Sequence, residues 1–130
     1  MNTREIIQTS QAAAPIGPYN QAVRAGNMLF ISGQIALDPQ TGLLYDGGDI
    51  AEETRLVMDA LQAILNAAGS DFSQAVKTSI FILDMAAFGA VNEVYGRYFE
   101  GMQAPARETI AVAGLPKGAR VEISMIALIP

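Results

Sequence analysis

The chain has 130 residues, 51% of them hydrophobic and 16% charged, with a formal net charge of −5. It contains no histidine and no cysteine, which excludes Ser-His and cysteine nucleophiles, a disulfide framework and a Cys/His zinc site. Its eight basic residues are scattered through an acidic chain and form no stripe for a phosphate backbone, so nucleic acid is not an expected partner.

This length predicts one domain over residues 1–130 with room for a core. The apolar content is high for a small monomer and predicts self-association. No charged leader precedes an apolar segment, and no apolar run reaches bilayer length, so a cytoplasmic protein with no membrane partner is expected. Acid–base chemistry is left to carboxylates, tyrosines, water and the two lysines, Lys77 and Lys117.

Residues 4–8 predict an edge strand. Ala12-Ala13-Ala14-Pro15-Ile16-Gly17-Pro18-Tyr19 sets two prolines around a glycine, which forbids helix and predicts an irregular loop ending with Tyr19 at a cleft. Segments 20–25 and 28–32 flank Gly26-Asn27, a pair suited to positive φ, and predict a hairpin. Its second strand runs into Ser32-Gly33-Gln34. The glycine there is either a simple bulge or a point where the Gly33 N–H is open to an anion. Residues 38–42 are a turn.

Asp49 starts a helix over 49–68 as its N-cap, with Glu52 positioned to close a capping box and Gly69 as the stop. Val57, Met58, Leu61, Ile64, Leu65 and Ala68 make the buried stripe, opposite Glu53, Arg55, Asp59, Gln62 and Asn66. Asp46-Gly47-Gly48-Asp49 reads as a loop and cap, and no metal is assigned to it. Residues 76–83 are too apolar for one face to meet water and predict a central strand. Asp84 caps a second helix over 85–99 with the stripe Phe88, Val91, Tyr95 and Phe99. Asn92 lies beside that stripe and either caps a strand end or reaches a cleft.

Two strands, 107–113 and 120–129, end the fold and are expected to pair across a Gly/Pro turn. Alternation puts Arg107, Thr109 and Ala111 on one face and Glu108, Ile110 and Val112 on the other. Assigning the larger hydrophobes to the helices sends Arg107 to the opposite face. The sum is an α+β fold, a single mixed β-sheet with two helices packed on one face. The uncovered face would be buried in a closed ring of subunits, with clefts between them.

Arg107 and Glu122 are charges on apolar strands and need partners. The Arg107 guanidinium is suited to clamp a small carboxylic acid through two parallel hydrogen bonds; the competing reading is a salt bridge to Glu108, Glu122 or a partner subunit. Burial would raise the pKa of Glu122 and let it manage a proton on water or a substrate nitrogen. Hairpin pairing puts the two charges about 13 Å apart along the strands, too far for a direct ion pair. Lys77 and Lys117 read as solvated surface charges.

Several motifs occur together: the loop ending Pro-Tyr-Asn-Gln-Ala-Val at 18–23, Phe30-Ile31-Ser32-Gly33-Gln34-Ile35, Val76-Lys77-Thr78-Ser79-Ile80-Phe81, Val91-Asn92-Glu93-Val94-Tyr95, Pro105-Ala106-Arg107, and Leu115-Pro116-Lys117-Gly118-Ala119-Arg120-Val121-Glu122-Ile123. Carrying these almost end to end, the chain resembles the RidA/YjgF/YER057c/UK114 proteins, reactive-intermediate imine deaminases. The resemblance implies a chorismate-mutase-like fold, a homotrimer whose sheets form an inner barrel, and three intersubunit clefts. It also implies cofactor-free hydrolysis of 2-imino acids, such as 2-iminobutanoate and 2-iminopropanoate, to 2-keto acids and ammonia. By the same resemblance Arg107 holds the substrate carboxylate and Glu122 orients or activates water. Gly33 (after Ser32) and Thr109 would offer backbone N–H groups, and Tyr19 and Asn92 would line the cleft. Many relatives have cysteine at the position of Thr109 and a small or neutral residue at that of Glu108, and a carboxylate beside Arg107 weakens anion binding unless it points away. Other readings of the same cleft are a non-catalytic keto-acid sensor, or a chaperone or RNA-cleaving protein.

Overall fold

The structure is a computed structural model and describes residues 3–130. Its elements in chain order are β1 (Arg4–Ile7), β2 (Ala22–Ala25), β3 (Met28–Gln34), α1 (Ile50–Ala67), β4 (Ala75–Ile82), α2 (Phe88–Arg97), β5 (Ala106–Ala111) and β6 (Val121–Leu128). The strands make one six-stranded sheet in the order β1-β2-β3-β6-β4-β5. All neighbours are antiparallel except β4 and β5, which run parallel. The expected two-helix layer on one mixed sheet is the architecture found.

The last two strands do not form the expected hairpin. Because α2 connects β4 to β5, the chain re-enters the sheet in the same direction, and the two strands pair in parallel with Thr78 opposite Arg107. The 112–120 connection then carries β6 to the other side of β4, where it fills the gap between β3 and β4. Burial explains the choice: Val121, Ile123 and Ala127 are fully buried and Met125 nearly so, which suits a central strand. Arg107 and Glu108 sit on the edge strand.

Helix α1 supplies the larger part of the cover, with Val57, Met58, Leu61, Ile64 and Leu65 packed into one cluster with Ile80, Ile82, Val121, Ile123 and Met125. The Asp49 side chain accepts from the Ala51 N–H as an N-cap should. The capping box is not formed: Glu52 turns outward to Arg55 at 2.7 Å, and the Asp49 N–H is donated to the Tyr45 hydroxyl. Glu53, expected on the wet side, is only 2% exposed, because the half-exposed Arg120 and its main chain, just ahead of β6, lie against it. Asp84 caps a short 3-10 turn, Met85–Ala87, from which α2 starts at Phe88. The second helix is therefore shorter at both ends than 85–99.

The other sheet face carries an apolar row that crosses four strands, Ile6, Val23, Phe30 and Ile126, aligned by register. Phe30 and Ile110 are each 46% exposed. Large side chains left in water on one sheet face are what a covering partner would bury.

Candidate functional site

Register assigns a face to the predicted site residues on β5 and β6. One row runs Ile7, Ala22, Ile31, Met125, Thr78 and Arg107 across the sheet, and its members other than Arg107 are buried. Arg107 therefore lies on the helix side, not the opposite face as expected. On the edge strand β5 the helix layer gives only partial cover, from α2 over Arg107, so size did not steer Ile110 under the helices.

On that side the guanidinium is held by α2. Its Nη1 donates to Asn92 Oδ1 at 2.7 Å, and its carbon stands 5.6 Å from the Phe88 ring centroid and 5.1 Å from that of Tyr95. The spacing 88, 92, 95 is what puts all three on one stripe of a helix. Tyr95 is fixed in turn by a 2.7 Å hydrogen bond with the buried Thr78 hydroxyl, and burial raises its phenol pKa. Among the described residues no carboxylate pairs with Arg107. Thr109 lies two residues along on the same face, its hydroxyl oxygen buried without a partner. A cation with two unused nitrogens on the same face as an unsatisfied hydroxyl has the donors that a small anion would need.

Glu108 points to the other face, bonded to Lys77 at 2.8 Å and to the Ser79 hydroxyl. These bonds, Lys77 first, hold its carboxyl below the ordinary glutamate value. It does not compete for Arg107. Lys77 is thus ion-paired rather than merely solvated, and Lys117 Nζ reaches the Gly42 carbonyl.

Glu122 alternates with the buried Val121 and Ile123 and pairs in register with Phe81, so it lies on the open face. Its carboxyl packs on Gly33, where an added Cβ would stand 2.7 Å from its Cδ. Gly33 and Ser32 form the irregularity between Ile31 and Gln34 in the β3–β6 ladder. The ladder is bulged here, which leaves the role of the Gly33 N–H open, and the glycine is required because Glu122 occupies the space of a side chain. Burial pushes the Glu122 carboxyl above the ordinary value. Tyr19, Gly33, Gln34, Pro116 and Glu122 line a pocket of ≈ 40 Å³; about 10–15 Å³ suffices for an ordered water, so water has access to this carboxylate. The Tyr19 hydroxyl accepts from the Ile16 N–H, and the Ser32 hydroxyl donates to the Asn20 carbonyl at 2.6 Å.

The predicted residues thus form two clusters. Arg107, Asn92 and Thr109 are together at the β5 edge on the helix side. Tyr19, Ser32, Gly33 and Glu122 are together around the bulge. Arg107 and Glu122 are separated by β4, by three residues along it, and by the thickness of the sheet. Two strand spacings and three residue steps amount to about 14 Å between their Cα atoms. No salt bridge joins them, and one small molecule does not touch both within a single chain. Phe88 and Tyr95 were legible only as core stripe; their placement against Arg107 needed the β4–β5 register.

The fold and its two clusters define a class: a small α+β protein with an anion-ready arginine on one sheet face and a desolvated carboxylate on the other. The sequence profile of the family described as Endoribonuclease L-PSP matches residues 9–129, and the chain belongs to that family, which includes the Rid and YjgF proteins. It is 49% identical over 125 residues to the 2-iminobutanoate/2-iminopropanoate deaminase of Mus musculus, covering 96% of this chain and 91% of the relative. It is 48% identical over 128 residues to a RutC family protein of Synechocystis, covering 98% of each. Among solved structures, E. coli TdcF with bound serine superposes with a TM-score of 0.89 at 41% identity, covering 95% of this chain and 98% of that one.

Proposed function

We propose that this protein hydrolyses small 2-imino acids to 2-keto acids and ammonia, and does so as a homotrimer whose clefts join the Arg107 cluster of one subunit to the Glu122 cluster of the next. The observation that carries this reading is the division of the two clusters between opposite sheet faces. Each has half of the chemistry, and the exposed apolar row on the Glu122 face supplies a surface through which a second copy can complete the site. A deaminase among the relatives and a small amino acid bound to a structural neighbour are consistent with the substrate class.

In this reading the substrate carboxylate accepts two parallel hydrogen bonds from Nε and Nη2, one edge of the Arg107 guanidinium, which Asn92 on Nη1 and the two aromatic rings hold in one orientation. The imine carbon is already electrophilic. Glu122, ionised, accepts a proton from water as the oxygen bonds to C2 and the C=N π electrons move to nitrogen. That proton is returned to the nitrogen to give the neutral carbinolamine; Glu122 then takes the hydroxyl proton and passes it to the nitrogen as the C–N bond breaks, so that ammonia leaves and the C=O forms. Water and imine are consumed and keto acid and ammonia released, with no redox change. The backbone N–H groups of Gly33 and Thr109 and the side chain of Tyr19 complete the lining, and no cofactor is invoked. The family's endoribonuclease description finds little support in a chain of net charge −5.

The test generates 2-iminobutanoate in situ and follows its decay. The protein should accelerate the decay at micromolar concentration or below. An unchanged decay rate combined with measurable keto-acid binding would replace the enzyme by a sensor of the same cleft. Gly33→Ala gives a second expectation: its methyl displaces the Glu122 carboxyl, so kcat should fall by about 10-fold or more. Urea unfolding should show a loss of only about 1–3 kcal/mol for the overpacking.

A further inference from the structure

Glu122 lies at the ragged start of β6. The β3–β6 ladder ends at the Gln34 and Ile123 pair, so residues 120–122 have β4 on one side and no strand on the other. Helix α1 supplies the missing partner. Glu53, 2% exposed, accepts the Arg120 main-chain N–H on Oε2 at 2.8 Å and the Arg120 Nε on Oε1 at 3.0 Å. Arg120 Nη1 continues to the Gly48 carbonyl at the foot of α1, and the Arg120 carbonyl accepts from the Leu83 N–H on the β4 side. Residue 120 is therefore fixed from both directions, and Glu122 follows two residues later, about 7 Å along the strand.

A buried carboxylate is costly unless its oxygens are bonded. The helix dipole favours an acid in the first turn of α1, where Glu52 and Glu53 both stand, but Glu52 has that benefit while exposed, so the dipole does not account for burying the carboxylate at 53. What it does is accept the Arg120 main-chain N–H on the side where β6 has no strand partner. We infer that Glu53 is a positioning residue for Glu122, tying the free edge of β6 to α1 so that the Glu122 carboxyl stays packed over Gly33. The inference rests on the hydrolase reading above for its kinetic consequence, and on geometry alone for its structural one.

The test compares Glu53→Ala and Glu53→Gln with the wild-type protein in two measurements. In the imine-decay assay, Glu53→Ala should lower kcat by about 10-fold or more and leave KM within about twofold, because the Arg107 cluster is untouched. Glu53→Gln keeps one acceptor oxygen for the 120 N–H but turns an amide donor toward the guanidinium, so its kcat should fall between the two. In an NMR titration of the glutamate side-chain carboxyls, Glu122 should titrate at a different pH in Glu53→Ala, with Glu53→Gln again intermediate. If Glu53→Ala does not fold, Glu53→Gln decides by itself: a reduced kcat at constant KM with a displaced Glu122 titration supports the inference. Wild-type kcat and a wild-type Glu122 titration in a folded Glu53 variant overturn it, as does a loss confined to KM. If the wild-type protein hydrolyses no imine, the hydrolase reading has failed, and the titration still decides whether Glu53 positions Glu122.

Discussion

Arg107→Ala is expected to lower kcat/KM for imine hydrolysis by about 10²-fold or more, since two charge-assisted hydrogen bonds of about 1.5–3 kcal/mol each are lost. The loss should also appear as weakened binding of a 2-keto acid, measured by calorimetry, because the clamp acts on the carboxylate common to substrate and product. Arg107→Lys should recover little of it: an ammonium presents no planar fork and stacks poorly between Phe88 and Tyr95. Folding should be nearly unaffected, as the guanidinium has an amide and two rings for neighbours and no carboxylate among the described residues. Keto-acid affinity unchanged in Arg107→Ala would remove Arg107 from the site.

Glu122→Gln is expected to cost about 10²–10⁴-fold in kcat, the usual contribution of a general base, with keto-acid binding retained. Burial raises the Glu122 pKa, so the acid limb of the wild-type pH profile should have its midpoint above the ordinary glutamate value, with activity gained as pH rises through it. Stability takes the opposite sign. A carboxyl whose folded pKa exceeds its unfolded one favours folding when protonated, and that contribution is lost as pH rises through the folded value. Glu122→Gln should therefore match the wild-type protein in acid and exceed it in stability at neutral pH, which urea unfolding at two pH values will show.

The same two variants test the proposed shared cleft. Each is expected to be strongly impaired alone, but if the protein assembles as proposed, refolding them together should give mixed rings in which some clefts receive an intact Arg107 from one chain and an intact Glu122 from its neighbour. Random assembly at equal amounts predicts about one quarter of wild-type clefts. Complete inactivity of the mixture, with mixed oligomers demonstrated, would show that each site is built by one chain.

Much of the fold was legible because local signals agreed. Asp49 and Asp84 cap where a carboxylate precedes an apolar period, Gly26-Asn27 turns a hairpin, and the stripe from Val57 to Leu65 meets the sheet. The misreadings share one cause. Glu52 and Glu53 are adjacent acids on one helix, and periodicity does not say that one meets Arg55 in water while the other meets the Arg120 main chain in the interior. Likewise, alternation correctly divided Arg107 from Glu108 but did not say which face the helices cover.

By itself the sequence determined the chemistry available: no histidine or cysteine, one arginine after Pro-Ala, one carboxylate in an apolar strand, and a glycine where that carboxylate needs room. It also determined the two-helix, one-sheet composition, since those periods are written in neighbouring residues. Only the tertiary structure decided that β6 inserts between β3 and β4, that Arg107 lies under α2, and that Arg107 and Glu122 stand on opposite faces. Strand order and facing depend on contacts between residues far apart in the chain, where burial of the whole sheet, and not the preference of any one segment, selects the arrangement.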